Sequence, residues 1–233
     1  MTNSDEVGTN LRYNGNIFIA GLSASGKTTH SYMLAGMFGL TYISGSQTHL
    51  IINGLSPVQD RSFWVSDVAK TLLTSAQFRL VEQELSRIEK IMTGCVFDSW
   101  IMPWRKASPG LSVYLMSTFE SRLRKAAVSR RENGFLIDDA FAEAVRQKDT
   151  AAIELYRILY GIDIEKDLSV FDLIVDISDF ITAPTFEAAR ASILAVHAIV
   201  EAAVGFYLTG ASNFRYELEK HRGQRYLLRN KLL

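Results

Sequence analysis

The chain has 233 residues, 48% of them hydrophobic, enough to bury one substantial core and within the single-domain range for α/β folds. Its 25 basic and 25 acidic side chains cancel, so no overall field draws it to nucleic acid or to an anionic membrane, and any anion recognition has to be local. Cys95 is the single cysteine, which excludes an internal disulfide and a cysteine-built zinc cluster and suits a reducing compartment.

Residues 1–15 are polar and lack the basic start and apolar centre of a secretory signal, so they are expected to be a flexible leader on a cytoplasmic protein. Asn16–Ala20 reads as a strand. It runs into Gly21-Leu22-Ser23-Ala24-Ser25-Gly26-Lys27-Thr28, which fits G-x-x-x-x-G-K-[ST] and precedes a helix from Lys27 to Phe38 that stops near Gly39. Leu40-Thr41-Tyr42-Ile43 is a second short buried strand, ended by the Ser44-Gly45-Ser46 turn. Helix-spaced apolar residues between Asp60 and Met92 predict two helices. Cys95-Val96-Phe97 and Leu111–Met116 are strands separated by Pro103 and the Ser108-Pro109-Gly110 turn. A cationic helix from Thr118 to Glu132, a longer one from Asp138 to Tyr160, a strand from Phe171 to Ile177 and a helix from about Thr185 to Phe206 follow. Strands alternating with helices imply a parallel sheet covered on both faces. The apolar stretch Ile193–Leu208 is interrupted by His197 and Glu201 and is too short to span a bilayer, so it is expected as a packed helix. Asn213–Leu233 is a basic tail, read either as a solvated amphipathic helix or as a docking face for a partner subunit.

The glycine-rich loop carries the chemistry. Successive backbone N–H groups in such a loop point at phosphate oxygens, and the following helix presents its positive end. Gly21, Ser23, Ala24, Ser25, Gly26, Lys27, Thr28 and Thr29 therefore form the expected ATP site, with Lys27 on the β- and γ-phosphates and Thr28 on Mg²⁺. A second metal-side group has to come from the end of a neighbouring strand, and Asp98 after Cys95-Val96-Phe97 meets that need, with Asp176 the weaker rival. Phosphoryl transfer also calls for cations around the moving group. Arg122, Arg124, Lys125, Arg130 and Arg131 crowd one helix and are expected to form a mobile lid over residues 118–135, with Arg122 and Arg130 as the catalytic pair. Trp100 and Trp104, just after Asp98, either stack on a flat acceptor or pack their loop onto the core. The four histidines show no metal-ligand spacing and are expected to be structural.

Together these segments resemble the nucleoside monophosphate kinases, in particular the cytidylate-kinase-like group of the shorter archaeal type, from Asn16 to about Ile199. The likeness rests on the loop, on Tyr42-Ile43-Ser44-Gly45, on Val96-Phe97-Asp98-Ser99-Trp100 and on the run from Glu120 to Glu132. It rests above all on Tyr156-Arg157-Ile158-Leu159-Tyr160-Gly161-Ile162-Asp163 followed by Phe171-Asp172-Leu173-Ile174-Val175-Asp176. It implies a three-layer α/β/α P-loop fold over residues 16–208, with acceptor-binding helices over about 45–92, and an ATP- and Mg²⁺-dependent phosphotransferase. The acceptor side departs from the family pattern. Gln47 and Leu50 stand where S-x-G-D-x-x-R has its acid and arginine, Asp98-Ser99-Trp100 replaces E-G-R, and Ile153, Glu154 and Leu155 replace the arginines before the tyrosine. Those arginines clamp an acceptor monophosphate in the family, and no other residue type reproduces their bidentate fork. Arg79 or Arg105 are the substitutes from other positions, and Ser44, Gln47, Arg79, Trp100 and Trp104 make up the expected acceptor site. A nucleotide-like acceptor, CMP or dCMP first, is therefore the leading expectation. A hydroxyl of an unphosphorylated nucleoside, sugar or antibiotic is the second, and a catalytically inactive nucleotide-binding protein that engages a partner through its tail is the third.

Overall fold

The computed structural model describes residues 15–56, 74–130 and 137–233. The expected leader, most of the first helix after Asp60 and the end of the lid run from Arg131 fall outside the described residues. Six strands form one sheet in the order β2-β3-β1-β4-β5-β6. The central strand β1 (Asn16–Ala20) pairs in parallel with β3 (Cys95–Asp98) and β4 (Gly110–Met116). β2 (Thr41–Ser44) adds to β3 and β5 (Leu173–Asp176) to β4, again in parallel.

Helices cover both faces of this parallel sheet, which is why its inner strands read as unbroken apolar runs. Alternate residues of β1 divide between the two layers. Ile17 and Ile19 pack with Leu34 of α1 (Lys27–Phe38) and with Val196, Val200 and Val204 of α7 (Phe186–Thr209). Phe18 faces the other way, stacked on Phe97 at 5.2 Å and packed near Leu85 of α3 (Ser75–Ile91) and Met102 of α4 (Met102–Arg105). α2 (Gly45–Ile52) follows β2 directly, and α5 (Phe119–Arg130) and α6 (Asp139–Tyr160) lie between β4 and β5. Thr74 opens α3 with a capping box to Gln77, and Asp138 caps α6 by accepting from the Phe141 N–H at 2.7 Å.

Among the described helices α7 is the one long and apolar enough to cross a membrane, yet 56% of its apolar window lies inside the protein. Gly205 of this helix meets the ring of Phe214 from α8 (Ser212–Glu219) so closely that a Cβ would come within 2.6 Å of it. The C-terminal tail is not the single solvated helix expected as one reading of it. It is helical only over Ser212–Glu219, and Leu227–Asn230 turns back as β6, antiparallel to β5. The reason is apolar: Tyr226, Leu227, Leu232 and Leu233 pack on the main core. Two of its basic side chains serve the same joint, Arg229 donating to the Leu168 carbonyl at 2.7 Å and Lys231 to that of Ser169 at 3.2 Å. The edge of β5 is thereby covered by the chain's own end.

Candidate active site

The loop between β1 and α1 is held in a strained, tightly turned path. Gly21 has φ 149°, and a Cβ there would meet the Leu115 carbonyl and the Ser25 hydroxyl at 2.6 Å. Ala24 takes φ 60°, the one described non-glycine residue in the left-handed region, where strain marks a functional backbone. The Lys27 ammonium donates to the Gly21 and Leu22 carbonyls at 2.8 and 3.0 Å and lies 5.6 Å from the Trp100 ring. Burial lowers its pKa, while the nearby carboxylates of Asp98 and Asp149 pull it back up.

The parallel register sets Asp98 beside Ile19, and the Ser99 N–H closes this corner on the Ile19 carbonyl at 3.2 Å. Asp98 Oδ2 there accepts from the Thr28 hydroxyl at 2.6 Å and from the Tyr42 hydroxyl at 3.1 Å. Burial and Asp98 push the Tyr42 phenol pKa up, so it stays a donor. The buried hydroxyls of Ser23 and Ser25 have no hydrogen-bond partner within the protein. Unmet donors along a strained loop at a helix N-terminus fit the oxygens of a polyphosphate. A hydroxyl and a carboxylate in contact fit Mg²⁺, which takes one or two protein oxygens and fills its octahedron with phosphate and water. No cluster of three or more metal-ligating side chains exists among the described residues, so the ion would be held jointly with the phosphates.

This loop forms one end of a cavity of about 1220 Å³. Single-ligand pockets span about 300–1000 Å³, so the space suits two substrates side by side. Its described cations are Lys27, Lys125 of α5, Lys148 of α6 and Arg190 of α7, and Lys148 lies close enough to Lys27 to feel its charge. Burial pushes the Lys125 and Lys148 pKa values down to about 8, assisted by Arg122 and Lys27 respectively. At the other end α2 and α3 supply Ser44, Gln47, His49, Phe78 and Glu82, with Trp100 between the two halves. Ser44 caps α2 by accepting from the Gln47 N–H at 3.2 Å, and the Gln47 side-chain amide donates to Tyr32 at 3.2 Å.

Three expected site residues are placed differently. Arg79 lines a separate hollow of about 620 Å³, shared with Arg105, whose guanidinium stacks over Tyr160 at 4.0 Å. Trp104 stands edge-on to Phe171 at 4.9 Å and donates its indole N–H to the Asp167 carbonyl at 2.7 Å, so it packs its loop onto the core. Arg122 is no lid cation. It is 5% exposed, ion-paired with the equally buried Asp149 of α6, and donates to the Ser23 carbonyl at 3.0 Å. Asp149 also accepts from the Ser23 N–H at 3.0 Å, so the pair grips both sides of one loop residue. Arg124 is likewise tied down, on the Ile181 carbonyl at 3.1 Å. Arg130 is the last residue of α5, the helix that reaches the cavity through Lys125 and Ser129. The buried rings of His30 and His197 stack at 5.7 Å, and burial holds His30 down at about 3, which keeps the pair neutral.

No protein-family model matches the chain. A cytidylate kinase of Pyrococcus horikoshii is 27% identical over 180 residues, 76% of this chain and 87% of the relative. One of Pyrobaculum aerophilum is 28% identical over 167 residues, 70% of this chain and 83% of the relative. The chain is thus similar in sequence to archaeal cytidylate kinases over 70–76% of its length. Among solved structures, a shikimate kinase from Acinetobacter baumannii in complex with shikimate superposes at a TM-score of 0.45 and 15% identity, covering 83% of this chain and 95% of that one. Lys148 and Glu82, which line the cavity, and Asp149, which holds Ser23, are passed over by motif reading. Their signal is a charge on an apolar stripe: Lys148 and Asp149 fall between Val145 and Ala152 on α6, and Glu82 between Val81 and Leu85 on α3.

Proposed function

We propose that this protein transfers the γ-phosphoryl group of ATP to a small-molecule acceptor bound beneath Trp100. The observation that carries this reading is the contact between the Thr28 hydroxyl and Asp98 beside Lys27, at one end of a cavity large enough for two ligands. In this reading Lys27 and the loop amides from Gly21 to Thr29 hold the donor phosphates, and Thr28 and Asp98 hold Mg²⁺. Magnesium, when bound, neutralises charge on the β- and γ-phosphates. Lys148 and Lys125 add positive charge from the facing helices, with Arg130 the candidate to reach the transferred group from the end of α5. Arg122 and Asp149 act through the loop, as positioning residues.

The acceptor reading taken from the cytidylate kinases is nucleotide-like, with CMP or dCMP first. Trp100, Phe78 and Tyr156 give the acceptor half flat walls suited to a ring. A second reading, an unphosphorylated hydroxyl compound, is favoured by Gln47 and Leu50, which stand where the family pattern has its acid and arginine. Coupled detection of ADP across nucleoside monophosphates, nucleosides and sugars tests the proposal. Acceptor-dependent ADP release that disappears in Lys27→Ala is expected. ADP release that no acceptor stimulates would remove it.

A further inference from the structure

We infer, resting on the kinase reading above, that Tyr42 is a positioning residue for the metal ion: its hydroxyl holds the Asp98 carboxylate in the orientation that Mg²⁺ with ATP requires. The arrangement follows from strand register and helical spacing. In the parallel pairing of β2 with β3, Tyr42 lies opposite Val96 and Ser44 opposite Asp98, so the side chains of Tyr42 and Asp98 leave the same face of the sheet. Val96 packs on that face with Leu34 of α1. α1 in turn carries Thr28 and Tyr32, four residues apart and therefore on one side of the helix. Each meets a partner on the sheet. The Thr28 hydroxyl donates to Asp98 Oδ2 at 2.6 Å, and the Tyr32 ring stacks on that of Tyr42 with centroids 4.0 Å apart and planes at 29°. The Tyr42 hydroxyl joins the two contacts by donating to the same Oδ2 at 3.1 Å.

Two donors on one oxygen fix which way the carboxylate faces. Thr28 and Tyr42 fill the two lone pairs of Oδ2, while among the described residues no donor reaches Oδ1. Asp98 lines the cavity, which leaves Oδ1 as the atom for the ion or a water of its shell. A hydroxyl accepts as well as donates, so Thr28 can keep its bond to Asp98 while offering its own lone pair to the metal. Tyr42 is itself held, because the Tyr32 hydroxyl accepts from the Gln47 side-chain amide at 3.2 Å and ties the stack to α2. Partners that orient a metal ligand without touching the metal cost about 10–100-fold in metal affinity when removed.

The test is calorimetric titration of the full chain with ATP, once with Mg²⁺ and once with the metal chelated. Tyr42→Phe keeps the stacked ring and removes the hydroxyl. It is expected to weaken binding in the presence of Mg²⁺ about tenfold and to leave metal-free binding unchanged. The half-saturating Mg²⁺ concentration for ADP release should rise by the same factor, with the rate recovering at high Mg²⁺. In an Asp98→Ala background Tyr42→Phe should cost nothing further, whereas a ring that serves packing alone would cost the same with or without the carboxylate. Equal Mg²⁺-dependent affinity in Tyr42→Phe and the unaltered protein, or an equal loss with and without the metal, overturns the inference and leaves the kinase reading intact. Failure of the unaltered protein to bind ATP removes the kinase reading itself. Should Tyr42→Phe fail to fold, Tyr32→Ala decides: Tyr32 is 50% exposed, and losing its ring should weaken the Mg²⁺-dependent binding about threefold, against no change if Tyr42 has no part in it.

Discussion

Replacing Asp149 by Asn separates a brace on the phosphate loop from a surface ion pair. Asp149 and Arg122 are each 5% exposed, and the carboxylate uses one oxygen for the Ser23 N–H and the other for the guanidinium. Asn keeps the volume and an acceptor for Ser23, but it leaves Arg122 buried without a countercharge. Orphaning one partner of a buried pair costs about 3–5 kcal/mol, whereas an exposed pair contributes about 0–1 kcal/mol. With the Ser23 contact retained, the lower end applies, about 3 kcal/mol, and a chain of this size then loses about 6–12 °C of Tm. The same change removes a negative charge that supports the protonated forms of Lys27 and Lys148, so both are held lower still. The double variant Arg122→Met/Asp149→Leu buries no charge and should regain most of the stability, yet bind ATP more weakly because Ser23 has lost its grip. Thermal and urea unfolding of the three proteins, followed by ATP titration, measures both effects. A loss below about 1 kcal/mol in Asp149→Asn would refute the reasoning.

Three further outcomes follow from the same geometry. Lys148 is held at about 8, so its charge is present below that pH and lost above it, and ATP affinity should weaken as pH rises through about 8. Lys148→Met should flatten that limb of a binding-versus-pH curve, and an unchanged curve would dissociate Lys148 from the phosphates. In the unfolding assay the sign is opposite: with a folded value below the ordinary 10.5, stability rises between about pH 8 and 10, because the unfolded chain binds more protons there. Asp98→Asn should cut Mg²⁺-dependent ADP release by about a hundredfold or more while metal-free nucleotide binding changes little, and equal rates in the two proteins would remove Asp98 from the metal site. Ending the chain at Gly223 uncovers β5, and light scattering should show association of the shortened protein, against a clear solution if the last strand is dispensable.

The parallel sheet and the loop are legible in the sequence because they are local: a β-rich run, two glycines and a lysine in fixed order, and a helix behind them. β3 and Asp98 are readable for the same reason. β6 is not. Its residues Leu227–Asn230 are only two leucines, an arginine and an asparagine, and their pairing partner lies some fifty residues earlier, so the basic surroundings in the tail point to solvent while its leucines decide its course. Arg122 shows the same limit. Its crowding with Arg124 and Lys125 suggests a lid, but its function is set by Asp149, 27 residues away on the next helix. Trp104 and Arg79 sit next to acceptor positions in the sequence and leave the cavity in space, because α3 and α4 turn them towards Asp167 and Tyr160.

The most direct measurement is calorimetric titration of the full chain with ATP in the presence of Mg²⁺, beside Lys27→Ala. Saturable binding at one site, weakened at least about tenfold by the substitution, is the predicted result. Absence of binding heat in the unaltered protein, or equal affinity in the two, contradicts the account.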